Sequence, residues 1–146
     1  MNKTYFLGSN TAYGFFGDFS HLTRGKTVIL KGGAGTGKST LMKKVNEIAL
    51  DAGFMTETYR CSSDVSSFDA VFVPSKNFAV IDGTSPHVTE AEIPLVTGFV
   101  FNLLDAADEK KITPYKDDIK YAVSCKKQYF NDAYCNINCA NLIFEN

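Results

Sequence analysis

"KGGAGTGKST" occupies Lys31–Thr40, and its reading decides the fold. Four glycines, Gly32, Gly33, Gly35 and Gly37, fall within six residues, directly after the apolar run Val28-Ile29-Leu30. A lysine, Lys38, and two hydroxyl residues, Ser39 and Thr40, follow at once. Backbone wraps a phosphate chain only where Cβ atoms do not intrude. Glycine also reaches positive φ at low cost, so successive N–H groups can turn inward as an anion nest. Gly32, Gly37, Lys38 and Ser39 meet the pattern G-x-x-x-x-G-K-[S/T] of the phosphate-binding loop.

The flanks agree with that reading. Thr27–Lys31 is a short apolar run, as expected of a strand buried on both faces. Leu41, Val45, Ile48 and Ala52 fall at helical spacing, with Lys43, Lys44 and Glu47 on other faces, and Gly53 is a usual helix terminator. Strand, glycine loop and helix follow in the order that places a helix N-terminus, with its partial positive charge, at the phosphates. Gly32, Gly33, Ala34, Gly35, Thr36, Gly37, Lys38, Ser39 and Thr40 are the expected nucleotide-binding residues. Lys38 is expected on the β- and γ-phosphates, with the Ser39 hydroxyl on Mg²⁺. The competing reading is a flexible turn that happens to contain lysine; the flanking strand and helix weigh against it.

Further along, "FMTETYRC" (Phe54–Cys61), "AVFV" (Ala70–Val73) and "FAVID" (Phe78–Asp82) read as strands. An apolar strand ending in aspartate, after a phosphate loop, makes Asp82 the expected holder of Mg²⁺ or its water. Gly83, Thr84 and Ser85 follow as possible backbone donors, and His87 as a positioning group or a hydrogen-bonded loop histidine, the blander reading being favoured. In "RCSSDVSS" (Arg60–Ser67), Asp64 reads either as a second ligand to Mg²⁺-bound water or base, or as an Asx turn. Cys61 reads as a small buried residue, with no base partner evident. "PLVTGFVFNLL" (Pro94–Leu104) is ambiguous between strand and buried helix. Thr113 reads as an N-cap and Pro114 as the first residue of a helix reaching about Tyr134.

Composition bounds the answer. The 146 residues suit one domain, with a helical, cysteine-containing tail over 114–146. Hydrophobic residues make up 45% and charged residues 21%, as in ordinary globular proteins. A formal net charge of −1 disfavours a nucleic-acid motor or an anionic membrane as partner. The six lysines from Lys110 onward are interleaved with acids, as on a solvated helix face. No apolar run approaches the roughly 18 residues of a membrane span, and "MNKTYFLGSNTAYGFF" makes a poor signal peptide, so a cytoplasmic location is expected. Cys61, Cys125, Cys135 and Cys139 are then expected as reduced thiols, and Cys135-x3-Cys139 is a weak zinc pattern.

"GSNTAYGFF", "VILKGGAGTGKSTLMKKV", "CSSDVSSFDAV" and "FAVIDGTSPHV" resemble, in that order, a poorly characterised family of bacterial P-loop ATPases found especially in Firmicutes. The resemblance runs from about Tyr5 to Tyr121. It implies ATP binding with Mg²⁺ and hydrolysis, on two tandem P-loop halves of which this chain resembles the first. The residues after Tyr121 have no counterpart in that pattern. The expected fold is therefore α/β, a three-layer α/β/α P-loop NTPase fold with a mainly parallel sheet and a helical C-terminal segment. The expected function is Mg²⁺-dependent ATP binding and hydrolysis, with Lys38, Asp82 and Asp64 as catalytic candidates and Ser39 and Asp82 on the metal. Expected partners are nucleotide and a second P-loop half or second copy of the chain. A small-molecule kinase with "RCSSD" at its acceptor, or a non-catalytic nucleotide sensor, are the rival readings. The absence of an N-K-x-D stretch tilts the base preference to ATP.

Overall fold

The computed structural model describes residues 2–144. The chain divides into two compact units, Met1–Ser9 with Gly17–Ala106, and Asn10–Phe16 with Ala107–Asn146. The elements run β1 (Asn2–Phe6), β2 (Gly8–Thr11), β3 (Gly14–Gly17), β4 (Lys26–Lys31), α1 (Lys38–Asp51), β5 (Thr56–Arg60), β6 (Phe68–Val73), β7 (Phe78–Asp82), β8 (Gly98–Asn102), α2 (Glu109–Ile112) and α3 (Lys116–Phe144).

The first unit is an α/β domain on a six-stranded mixed sheet in the order β1-β5-β6-β7-β4-β8. β4 lies parallel to β7 and β8, and β1 parallel to β5; β6 alone runs antiparallel to its neighbours. Connection length explains the exception. The step from β4 to β5 passes through α1, long enough to return a parallel strand. β6 reaches β7 through one turn, Pro74–Lys76, closed by Asn77 in the left-handed region at φ 44°. A link that short only joins antiparallel strands.

The core forms where α1 meets the sheet: Leu30, Met42, Phe68, Val71 and Val80, with Val28, Val45, Phe78 and Leu103 around them. The face of α1 that packs is not the one its apolar residues indicate. Met42, Asn46 and Ala49 are buried, whereas Leu41, Ile48 and Ala52 are exposed. The packed stripe continues back to Ser39, whose Oγ accepts a hydrogen bond from Phe68 N at 3.0 Å. The tether between the loop and β6 lies on the same face as Met42 and Ala49, so hydrogen bond and apolar burial agree on one rotation of the helix. Gly53, at φ 78°, ends α1 as expected.

The ambiguous segment Pro94–Leu104 resolves into β8 on the sheet edge, with Phe99, Val100 and Phe101 each more than half exposed. β1 and the β2–β3 hairpin carry no apolar alternation and were not expected from the sequence.

In the second unit Thr113 is not an N-cap. It is itself helical, its Oγ1 donates to Glu109 O at 2.8 Å, and the cap upstream is Asp108, which accepts from Lys110 N. Pro114 sits at the start of the 3₁₀ turn Thr113–Tyr115, where its missing N–H costs nothing. α3 does not stop near Tyr134 but continues to Phe144, because no glycine or proline interrupts it. The last two residues of the expected tail lie outside the described residues. Tyr134 Oη donates to Asn10 Oδ1 at 3.1 Å, which ties α3 to β2, and Cys125, Cys135 and Cys139 are free thiols. Among the described residues no helix is long and apolar enough to cross a membrane.

The packed face of α1 is tested by paired truncations. Met42→Ala should destabilise by about 2–5 kcal/mol, and Ile48→Ala, at an exposed position, by less than about 0.5 kcal/mol. Urea unfolding midpoints measure both, and equal costs would show that the helix packs on its other face.

Candidate functional site

Register between β4 and β7 builds the site. Leu30 pairs with Asp82, so the loop after β4 emerges beside the end of β7. Gly83 N donates to Leu30 O at 3.0 Å. A Cβ at Gly83 would run into Ile29 Cγ2, so this close approach requires glycine. Lys31 steers the strand beyond. Its ammonium donates to Gly83 O (2.8 Å), Thr89 O (3.4 Å) and Glu90 Oε1 (3.2 Å), which pins the segment after β7 and leaves Lys31 turned away from the loop's work.

The loop itself turns through Gly35 at φ 78° and Gly37 at φ 92°. Gly37 is the residue immediately before α1. No side chain caps the helix there, and its first turn holds no acid. The backbone donors of that turn lack the side-chain oxygen that ordinarily satisfies them, and the positive end of the helix has no carboxylate beside it. Thr36 Oγ1 donates to Gly33 O at 2.9 Å and stiffens the loop from inside.

Lys38 folds back over this loop. Its Nζ donates to Gly32 O at 2.7 Å and Gly33 O at 2.8 Å, and lies 3.7 Å from Asp82 Oδ2. Both side chains are largely buried, 10% and 16% exposed, so the pairing is stronger than a surface ion pair. Thr84 closes the ring: Oγ1 donates to Gly32 O at 2.9 Å and N donates to Asp82 Oδ1 at 2.8 Å. The structure thus brings together Gly32, Lys38, Asp82 and Thr84, with Ser39 one residue into α1. The Ser39 hydroxyl and the Asp82 carboxylate are hard oxygen donors, the chemistry Mg²⁺ prefers.

Asp64 sits otherwise. Its Oδ1 accepts from Ser66 N (3.0 Å) and Ser66 Oγ (2.6 Å), and its Oδ2 from Ser67 Oγ (2.6 Å). This is the Asx turn that was one of its two sequence readings. The Ser66 and Ser67 hydroxyls hold its carboxyl below the ordinary value, and a carboxylate held ionised in this way is a poor proton acceptor. Arg60 is equally committed. Its Nη1 donates to Val65 O at 3.1 Å and its guanidinium lies 4.6 Å from the centre of the Phe68 ring.

His87 is a buried loop histidine beside a carboxylate: its Nε2 lies 3.4 Å from Asp69 Oδ1, and the Phe19 ring packs edge-on at 5.3 Å. Cys61 completes a cluster in which the ligand-type atoms of all three residues lie within 4.8 Å of one another. Burial pushes the Cys61 thiol above its ordinary value. Burial also raises Asp69; His87 and a hydrogen bond from the Cys61 thiol oppose that rise, and the Asp82 charge adds to it. Sequence reading missed Asp69. Its only signal was an acid set inside the apolar run of "FDAVFV".

No family model, no curated protein and no solved structure matches this chain.

Proposed function

We propose that the chain is a Mg²⁺-dependent ATP-binding P-loop protein that hydrolyses ATP. The first unit would supply the sheet and one helical layer of a three-layer α/β/α P-loop NTPase fold. One observation carries the reading: Lys38, the uncapped start of α1 and Asp82 converge on one glycine loop at the carboxyl end of a parallel strand. Ligands of α/β sheets bind at such strand ends.

In this reading the loop N–H groups and the first turn of α1 hold the phosphates. Lys38 exchanges the Gly32 and Gly33 carbonyls for the β- and γ-phosphate oxygens. Ser39 and Asp82 hold Mg²⁺, which screens the charge developing on the transferred group. Thr84 keeps Asp82 in place while this exchange occurs. An open groove lined by Gly37, Thr40, Leu41, Lys43, Lys44 and Glu47 lies beside the loop, offering apolar and cationic surface to the nucleoside end. Asp64, saturated by its own turn, is not assigned the base. A second P-loop half or a second copy of the chain is the proposed partner, consistent with the exposed Phe99, Val100 and Phe101 of β8.

Lys38→Ala should remove the thermal stabilisation given by Mg-ATP and retain the circular dichroism of the fold. Wild type at 100 times its Kd should gain about 2.7 kcal/mol. A wild type that gains nothing from any nucleotide would refute the site.

Asp82→Asn keeps the shape and removes the charge. Turnover should fall by about 10–100-fold, and nucleotide binding by less. Phosphate release at saturating ATP measures this, and unchanged turnover would remove Asp82 from the metal.

The committed positions of Arg60 over Phe68 and of Arg24, two residues before the start of β4 at the end opposite the loop, favour slow turnover in the isolated chain. Fast phosphoryl transfer commonly draws on an arginine finger worth about 10³–10⁵-fold. The rate constant should therefore rise with protein concentration as a partner copy engages. A rate well above ~1 s⁻¹ that is independent of concentration at nanomolar chain would show the site to be complete in one molecule.

A further inference from the structure

Cys61, Asp69 and His87 come from three elements that meet at one end of the sheet. Cys61 directly follows β5, and its N donates to Ser67 O at 3.1 Å, closing the turn that returns the chain as β6. His87 lies beyond β7, held by its own N donating to Thr84 O at 2.8 Å and by Thr89 Oγ1 donating to its carbonyl at 3.0 Å. Asp69 is the residue that the β5–β6 ladder skips. Tyr59 pairs with Ala70 and Arg60 with Phe68, so Asp69 is the extra residue of a β-bulge. A bulge re-aims a side chain that regular alternation would send elsewhere. β6 is an interior strand buried along nearly all its length, so the re-aimed carboxylate has no route to solvent along it.

The carboxylate brought inward in this way is only 4% exposed, and its Oδ2 has no hydrogen-bond partner among the described residues. Leaving such an atom unsatisfied is unfavourable unless something else meets it. The neighbouring imidazole does not meet it well. The 3.4 Å between His87 Nε2 and Asp69 Oδ1 is longer than a charge-assisted hydrogen bond, ordinarily about 2.7–2.9 Å. It does match the separation of two ligands on one tetrahedral zinc. Bonds of about 2.0–2.2 Å from zinc to nitrogen and oxygen put those ligands about 3.3 Å apart. With a thiolate bonded at about 2.3 Å, sulfur stands about 3.6 Å from the other ligands, so the remaining separations, all within 4.8 Å, close by up to about 1.2 Å on binding.

We propose that Cys61, Asp69 and His87 form a binding site for a thiophilic divalent transition metal, zinc being the natural occupant of a thiolate–carboxylate–imidazole set. Binding displaces the thiol proton to solvent. Thiolate and carboxylate then bring two negative charges to the dication, so the buried assembly is neutral. Three protein ligands leave one coordination position for water or a further donor. The site is separate from the Mg²⁺ ligands proposed above. It joins the ends of β5 and β6 to the segment after β7 and bolts down the turn that carries Thr84 beneath the glycine loop. The cysteines of α3, the weak zinc pattern of the sequence, take no part.

The test replaces Cys125, Cys135 and Cys139 together by serine, leaving Cys61 as the one thiol, and uses Co²⁺ and Zn²⁺ with no nucleotide present. Titration should show one Co²⁺ per chain, with a thiolate-to-cobalt charge-transfer band and the d–d absorption of a tetrahedral ion. Cys61→Ser should abolish the charge-transfer band, and Asp69→Asn and His87→Gln should each weaken binding by at least about tenfold. A second readout does not depend on those variants folding. In the same parent, Zn²⁺ should slow alkylation of Cys61 by at least about tenfold, with chelator restoring the rate. A missing charge-transfer band together with unchanged alkylation would reduce the cluster to a buried histidine–carboxylate pair. A band that survives Cys61→Ser would place the metal elsewhere.

Discussion

The parallel pairing of β4 with β7 is the constraint on which the rest of this end of the molecule depends. Leu30 opposite Asp82 sets where the glycine loop leaves the sheet and where the carboxylate meets it. A slip of one residue would send Asp82 to the other face. It would also break the contacts that make the register self-consistent: Gly83 N on Leu30 O, and Thr84 Oγ1 on Gly32 O. The strand pair, the loop and the Lys38–Asp82 contact are one structure seen at three scales. The antiparallel β6 on the far side of β7 extends it, because the bulge opposite β5 delivers Asp69 to the same end of the sheet.

Much of this was legible in the sequence, for a physical reason. The glycine loop needs residue types that few other structures need, and the apolar strand before it and the helix after it both fall where they were expected. The central strands β4 and β7 are nearly continuous apolar runs and fall where they were expected. What was illegible depended on partners distant in the chain. Leu41 and Ile48 have the spacing of a buried stripe, yet α1 packs through Met42, Asn46 and Ala49 against β6, a partner that no local window contains. Thr113 looks like a cap, but Asp108 caps a turn earlier. β1 is a fully exposed edge strand whose place is set by its register on β5, with Thr4 Oγ1 3.1 Å from Thr58 Oγ1, and not by its own pattern. Asp69 was invisible because a bulge has no sequence signature; it exists only against the partner strand.

The two carboxylates at this end of the sheet, Asp69 and Asp82, raise a common electrostatic problem. Each is partly withdrawn from water, and the Asp82 charge disfavours ionisation of Asp69. The fold places a different nitrogen group beside each, the Lys38 ammonium at Asp82 and the His87 imidazole at Asp69. The division follows ligand chemistry. Asp82 stands with a hydroxyl and an ammonium, surroundings suited to a hard cation and phosphate. Asp69 stands with a thiol and an imidazole, surroundings suited to a softer ion.

Under the proposed reading, Lys38 would bear on turnover as well as on binding. Two loop carbonyls and Asp82 hold its charge, so phosphate contacts would replace interactions that are already good. The net gain per contact is correspondingly small, which throws the weight of binding onto the loop N–H groups and the open helix end. Arg60 faces the same exchange under worse terms. Freeing it means giving up the Phe68 ring, worth about 0.5–2 kcal/mol, together with its bond to Val65 O. A cation fixed to the sheet in this way stabilises the β5–β6 turn, and it is poorly suited to move onto a phosphate only while charge develops there. Under the proposed ATPase reading, both cations near the loop are therefore already engaged, and the transition-state cation would come from another surface.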